Sequence, residues 1–142
     1  MAEAVNDTRV ILDSLFRNHP NIKVVQFGYD IVNFEMSIIC STLGRTLFPD
    51  CRRNDIACAN NDMYHLQWAV EDISTYYKTH TAVDLRGTMQ KAGGVPGPFP
   101  NDNYYSPEDL MRDCIHANSQ GFTVLFDQLW EVYFKAEIEG KN

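Results

Sequence analysis

Apolar residues recur along the chain with two spacings, and these spacings predict an alternation of helices and strands. In the first segment, Asp7–Asn18, they fall three and four positions apart, which is typical of an amphipathic helix: Ile11, Leu12, Leu15 and Phe16. Asn6 or Asp7 can accept the free backbone N–H groups at the start of this helix. Pro20 ends it, because the residue before a proline disfavours the helical conformation.

The middle of the chain predicts a second helix that is equally clear. Asn60 or Asn61 supplies its cap, and it ends near Tyr77–Lys78, with one apolar stripe between: Met63, Leu66, Val70, Ile73 and Tyr77. The apolar segment Phe34–Leu43 predicts a short helix. Residues Gly44–Asn60 show neither the helical nor the strand spacing, so we predict a loop there.

Two short β-branched segments on either side of this region predict strands. The first is Ile22–Phe27, which Gly28–Asp30 ends, and the second is Thr81–Leu85, which Arg86–Gly87 closes. A strand, a crossover helix and a second strand form the parallel unit of α/β folds, so we expect these two strands to be parallel.

The last third of the chain predicts a long loop and a final helix. Glycine and proline are dense between residues 89 and 106, where they fix turns and remove backbone donors. Ser106–Asp109 has the cap, proline and acids of a helix start, with room for only a turn or two. Ser119 opens the final helix and Gly140 ends it, with this stripe: Phe122, Leu125, Phe126, Leu129 and Tyr133.

The predicted elements indicate an α/β fold with too few strands for a stable sheet. The 142 residues suit one domain, but two strands do not make a sheet that is stable alone. We therefore expect a partial α/β domain over residues 1–142. Its missing strands would come from the N-terminal half of the same domain, a partner chain or a second protomer. The alternative is an unrecognised strand around Phe34–Cys40.

Composition and charge exclude several classes of protein. The chain has 12 Lys+Arg and 19 Asp+Glu, for a net charge of −7, whereas a nucleic-acid surface needs clustered basic residues. No apolar run approaches the roughly 20 residues of a membrane span. The first residues do not combine a basic and an apolar segment, so we expect no signal peptide in this sequence. We therefore expect neither nucleic acid nor a membrane span.

Four cysteines leave the redox state open. Cys51 and Cys58 are close together in a polar stretch, so they can form a disulfide, whereas Cys40 and Cys114 lie in apolar surroundings. The alternative is four reduced thiols, which behave as small buried apolar groups. An oxidised Cys51–Cys58 pair favours a secreted or periplasmic protein, and reduced thiols favour a cytoplasmic one. The spacing does not suit zinc, and we expect no metal.

Two polar pairs are candidates for chemistry. Asp113 and His116 are three residues apart just before a helix, where a carboxylate can hold one imidazole nitrogen and leave the other free to take a proton. The alternative is a surface Asp beside a helix-capping His. Tyr29 and Asp30 follow the first strand at its carboxyl end, where α/β folds place substrate contacts. The alternative there is an ordinary turn.

The string around the first pair resembles a conserved block of the SGNH (GDSL-type) hydrolases, Asp-x-x-His-Pro-x-x-x-Gly-Phe. Asp113, His116, Gly121 and Phe122 match, while Ala117 stands in place of the proline. Lys23–Tyr29 is similar to a late strand of that family, and Val83–Gly87 to the strand before its catalytic loop. The resemblance implies the C-terminal portion of a flavodoxin-like three-layer α/β/α fold with a parallel sheet.

The resemblance also implies a function, namely hydrolysis of a carboxylic ester without a cofactor. Asp113 would orient His116, which would act as general base for a serine. The nucleophile of the family lies in a Gly-Asp-Ser motif, and its oxyanion donors include an Asn in Gly-x-Asn-Asp; neither motif occurs here. An absent N-terminal part or a partner chain would supply them. The alternatives are a non-catalytic binding or assembly subunit and a redox or metal module built on the cysteines.

Overall fold

A computed structural model describes residues 2–51 and 55–140, and the side chains from residue 5 onward within those ranges. The described chain has α/β architecture. Its helices are α1 (Ala2–Asn18), α2 (Ile38–Leu47), α3 (Ile56–Ser74), α4 (Thr88–Ala92), α5 (Ser119–Leu129) and α6 (Lys135–Glu139). Its strands are β1 (Val24–Phe27) and β2 (His80–Val83). A single 3₁₀ turn covers Glu108–Leu110, and a π-helical turn, Trp130–Phe134, joins α5 to α6.

The described residues form two compact units. The first contains the chain up to Gly28 together with Tyr64–Asp84, and the second contains Tyr29–Met63 and the chain from Leu85 onward. The assignment of residues 1–142 to a single partial domain remains a prediction. None of the helices formed by the described residues combines the length and the apolarity needed to cross a membrane.

The predicted parallel pairing of the two strands is confirmed. In the first unit β1 and β2 pair in parallel, with Val24 opposite His80 and Phe27 opposite Val83. Both strands are shorter than the predicted segments, and β2 begins one residue before Thr81. The helix α1 begins at Ala2, which is earlier than predicted. Within its predicted stripe Leu12 is buried, but Ile11 is 65% exposed.

The helix α2 begins four residues later than predicted, and the reason is its cap. The hydroxyl of Ser37 accepts the N–H of Cys40 at 3.1 Å, which starts the helix at Ile38. Phe34 consequently precedes the helix and lies in an apolar cluster of the second unit, with Val32, Cys40, Ala59 and Cys114. Residues 34–40 contain no strand in the described chain, so the alternative of an unrecognised strand there is wrong.

The helix α3 also differs from its predicted bounds. Asp55 accepts the N–H of Cys58 at 2.9 Å, so the helix begins before Asn60 and part of the predicted loop is helical. It ends at Ser74, whose hydroxyl bonds to the carbonyl of Glu71 at 2.6 Å, rather than near Tyr77. A serine hydroxyl that bonds to a carbonyl of its own helix competes with the backbone hydrogen bonds of that helix.

The segment that follows β2 turns sharply into α4, which occupies the start of the predicted glycine- and proline-rich loop. Gly87 has a φ of 81°, a left-handed conformation that strains residues with a Cβ atom. The helix α4 then runs to Ala92. The irregular segment therefore begins at Gly93.

Buried amide side chains hold the far end of this irregular segment. The side chain of Gln90 is fully buried; it donates to the carbonyls of Asn101 and Tyr104 at 2.9 and 2.6 Å and accepts the N–H of Asn101 at 2.9 Å. The amide nitrogen of Asn60, in α3, lies 3.3 Å from the carbonyl of Tyr104. These bonds lie in partly buried surroundings and provide partners for backbone groups of the loop.

We expect Gln90→Leu to destabilise the second unit. The apolar side chain is close to glutamine in size, but it leaves the carbonyl and the N–H of Asn101 without their partner and removes one of the two bonds to the carbonyl of Tyr104. Each such loss costs about 1–3 kcal/mol, so unfolding in urea should show a decrease of at least about 2 kcal/mol. The exposed residue Lys91 provides the control, and Lys91→Ala should leave the unfolding free energy within about 0.5 kcal/mol. An equal effect of the two substitutions would contradict this role of Gln90.

Candidate functional site

The residues Asp113 to His116 form a tight turn at the end of a short antiparallel bridge between Met111 and Ala117. The N–H of Arg112 donates to the carbonyl of His116 at 2.8 Å, which closes the turn. Inside it, one carboxylate oxygen of Asp113 accepts the N–H groups of Ile115 and His116 at 3.0 and 2.8 Å. An aspartate that bonds to the backbone two and three residues ahead is a common turn former.

The helix α5 lies directly against the base of this turn. Asn118 caps it by accepting the N–H groups of Gln120 and Gly121 at 2.9 and 3.0 Å. A Cβ atom at Gly121 would collide with the carbonyl oxygen of Leu110. The glycine of the matched sequence block is therefore needed for close packing.

The Asp113 carboxylate also holds the ring of His116. Nδ1 of His116 lies 2.9 and 3.0 Å from the two carboxylate oxygens. A carboxylate in this position makes Nδ1 the protonated nitrogen and leaves Nε2 as the proton acceptor. Nε2 has no hydrogen-bond partner among the described residues. Asp113 and His116 are 42% and 47% exposed, so solvent or a substrate can reach the pair.

The hydrogen bonds at Asp113 stabilise its charged form. The backbone N–H groups of His116 and Ile115 and then the His116 side chain hold the pKa of the Asp113 carboxyl well below its usual range. The Arg112 guanidinium, 3.4 Å from the second carboxylate oxygen, adds a cation on the exposed side. The carboxylate therefore stays ionised at any pH at which His116 could act as a base.

The depressed pKa predicts how stability depends on pH. Because the pKa of Asp113 is lower in the folded chain than in the unfolded chain, its contribution is complete above the ordinary value of about 3.9 and decreases as the pH falls below it. The difference between the unfolding free energies of the wild type and Asp113→Asn should therefore be largest near neutral pH and should begin to shrink below about pH 4, decreasing further as the pH falls. Urea titrations at pH 7 and pH 3 measure this, and a pH-independent difference would contradict it.

Tyr29 lies beside His116, whereas Asp30 has a supporting position. The rings of Tyr29 and His116 meet edge to face with centroids 6.3 Å apart, and Tyr29 is 46% exposed. Asp30 is buried, and its carboxylate accepts the N–H groups of Gly87 and Met89 at 2.5 and 2.8 Å, which anchors the start of α4. Substrate contact by either residue remains a prediction.

None of the serines among the described residues is hydrogen-bonded to His116. Ser37 caps α2, and Ser106 is buried with its hydroxyl on the carbonyl of Ile31. The Asn60-Asn61-Asp62 string, which superficially resembles the oxyanion motif, lies inside α3 with Asn60 fully buried. Within the described chain, the Asp113–His116 pair therefore has no serine hydroxyl hydrogen-bonded to its imidazole.

The four cysteines form two disulfides. Cys51 and Cys58, the pair proposed from their proximity, are bonded with Cα atoms 5.6 Å apart. Cys40 and Cys114 are also bonded, with Cα atoms 5.3 Å apart, although 74 positions separate them in the sequence. The sequence does not predict this second pair, because connectivity across such a distance cannot be deduced from spacing. The expectation of four reduced thiols does not match this structure.

One group of residues has the composition of a metal site. Ligand atoms of Cys51, Cys58 and Asp62 lie within 4.8 Å of one another. Thiolates bind metals, but these two sulfurs are bonded to each other and offer no thiolate. The group is explained by the disulfide, with the Asp62 carboxylate beside it.

Comparisons with known proteins show a similar fold but do not identify a family for this chain. No protein-family model matches the chain, and no curated protein matches its sequence. A solved structure from Streptococcus pneumonia, provisionally described as a platelet activating factor, matches 92% of this chain with a TM-score of 0.61 and 15% identity. The chain spans 50% of the length of that protein. At this identity the likeness concerns the fold alone, and it agrees with the α/β architecture.

Proposed function

We propose that the chain is the C-terminal catalytic part of an SGNH-type ester hydrolase with a flavodoxin-like α/β/α fold. The observation that carries the proposal is the bonding of both Asp113 carboxylate oxygens to Nδ1 of His116, with Nε2 left available. A base held in one tautomer by a fixed carboxylate is the arrangement that activates a serine. The serine and the oxyanion donors belong to an N-terminal half of the domain, a partner chain or a second protomer.

The proposed reaction uses this pair twice. Nε2 of His116 takes the proton of the serine hydroxyl as its oxygen attacks the ester carbonyl carbon, and then gives that proton to the departing alcohol. Water repeats the sequence on the acyl-enzyme, which releases the carboxylic acid and restores the serine. Asp113 stays ionised throughout and stabilises the imidazolium that forms in each step.

Other features of the second unit support this reading. The Tyr29 ring beside His116 offers an apolar edge to a substrate that approaches the base. Gly121, which the family pattern requires, brings α5 against the turn. Two disulfides favour an oxidising compartment, so we propose a secreted or periplasmic location.

A serine-directed probe tests the proposal. The native protein that contains this chain, with any chain that purifies with it, would be treated with a fluorophosphonate and a chromogenic short-chain ester. We expect the probe to label a serine in a Gly-Asp-Ser segment, and we expect Asp113→Asn to reduce both labelling and ester turnover. Absence of labelling and turnover in the wild type would reject the hydrolase in favour of a binding or assembly subunit.

A further inference from the structure

The turn that carries the proposed acid and base contains one end of a disulfide. Cys114 lies between Asp113 and His116 in the sequence, and its sulfur is bonded to Cys40 in α2. Cys40 and Cys114 are 5% and 6% exposed. The two flanking side chains are nearly half exposed. The turn therefore exposes the side chains of Asp113 and His116 to solvent on one side, and on the other side it is covalently bonded to the interior through Cys114.

The other hydrogen bonds that shape the turn are mostly local. Asp113 bonds to Ile115 and His116, and Arg112 bonds to His116, all within five residues of chain. These bonds define the internal shape of the turn but do not fix its position on the protein. Within the described part of the chain, a hydrogen bond to a remote segment helps to fix this position, from the N–H of Asn33 to the carbonyl of Cys114 at 2.9 Å.

The partner end of the disulfide is firmly held. Cys40 lies in the first turn of α2, where its N–H bonds to the Ser37 cap. The hydroxyl of the next residue, Ser41, donates to the carbonyl of Phe34 at 3.0 Å. Cys40, Phe34 and Cys114 belong to one buried apolar cluster, against which Ile115 also packs. A displacement of the turn relative to α2 would therefore disturb a packed core as well as the disulfide.

Position matters here because proton transfer depends on it. A misplacement of about 1 Å can cost about a hundredfold in rate, and catalytic groups need rigid support. We propose that the Cys40–Cys114 disulfide is a positioning element, which holds the Asp113–His116 turn at the place where Nε2 meets its proton donor. This inference rests on the proposed function for its catalytic consequence, whereas the tethering itself is a property of this chain.

The test compares the two disulfides. The double substitution Cys40→Ala/Cys114→Ala, called the tether variant, removes the Cys40–Cys114 disulfide. The matched control, Cys51→Ala/Cys58→Ala, removes the other disulfide of the same unit. Amide hydrogen exchange would be measured by NMR on the full chain. The exchange rate of the Asn33 N–H reports the bond between the turn and the remote segment, and the rates of the Ile115 and His116 N–H groups report the bonds within the turn. In the tether variant we expect Asn33 to exchange at least tenfold faster, and the control should stay within twofold of the wild type.

The amides of β1 and β2 show whether the effect is local. Their loss of protection in the tether variant should be no larger than the change in unfolding free energy measured on the same variant explains, whereas Asn33 should lose more, because the strands belong to the other unit. Equal exchange of Asn33 in both variants would overturn the inference, and so would a loss of protection at Asn33 that is no larger than that of the strand amides. A second form of the tether variant, Cys40→Ala/Cys114→Val, refills the lost volume and should reproduce the Asn33 result. Protection at Asn33 restored by this refilling would show that packing, rather than the covalent bond, positions the turn.

Ester turnover of the native assembly supplies the catalytic readout. Loss of the tether should lower kcat at least tenfold with KM within about twofold, and loss of the Cys51–Cys58 disulfide should change neither. Turnover equal to that of the control would overturn the positioning role. If the wild type itself hydrolyses no ester, the proposed function fails, while the exchange experiment still decides whether the disulfide holds the turn.

Discussion

His116→Ala is expected to lower ester turnover of the assembled protein by about three to six orders of magnitude, as loss of a triad base does. In the proposed mechanism the imidazole accepts and returns the proton, and Asp113 cannot replace it because its carboxylate has a depressed pKa. The fold should be affected little, since His116 is nearly half exposed and exposed ion pairs contribute about 1 kcal/mol or less.

The control for this experiment is His65→Ala, at an exposed histidine of α3. Its turnover should match the wild type. Hydrolysis of a chromogenic short-chain ester and the melting temperature would be measured on the same samples. A lower melting temperature with unchanged turnover in His116→Ala would identify His116 as a residue of the turn without a role in catalysis.

The second large effect concerns stability. The Cys40–Cys114 disulfide closes a loop of about 75 residues, and its removal should cost about 4.5 kcal/mol through the entropy of the unfolded chain. The Cys51–Cys58 disulfide closes a loop of about eight residues, for which the same relation gives about 2.5 kcal/mol. Both double alanine variants would be unfolded in urea under identical conditions. The reverse order of stabilities would contradict the assigned connectivity.

Thiol mapping checks the same connectivity chemically. In unreduced protein all four cysteines should resist alkylation. Under mild reduction Cys51 and Cys58, which are partly exposed, should react before the buried Cys40 and Cys114. Mass spectrometry of peptides after alkylation gives both results. Four reactive thiols in unreduced protein would show that neither disulfide is present.

Local signals in the sequence predicted the elements that depend on local chemistry. The β-branched segments that became β1 and β2 were recognisable, and so was their parallel pairing through a crossover of helices. The Asp113–His116 contact follows from a three-residue spacing in a turn. The predicted start of α5 at Ser119 was correct, and Asn118 supplies its cap.

Features that depend on tertiary contacts were not predictable in this way. Phe34 is apolar and suits a helix, but the Ser37 cap and a buried cluster place it before α2. Asn60 resembles a cap, yet it lies buried within α3, where it bonds to a distant loop. The Cys40–Cys114 bond joins positions that only the folded chain brings together.

The central claim is that His116 serves as the base for a serine that lies outside this chain. The measurement that tests it most directly is an experimental structure of the complete assembly, with the distance from Nε2 of His116 to the serine hydroxyl of a Gly-Asp-Ser segment as the readout. The account predicts a separation of about 2.6–3.2 Å, or slightly more without substrate, with Asp113 still on Nδ1. A complete assembly in which no serine hydroxyl lies near Nε2 would contradict it.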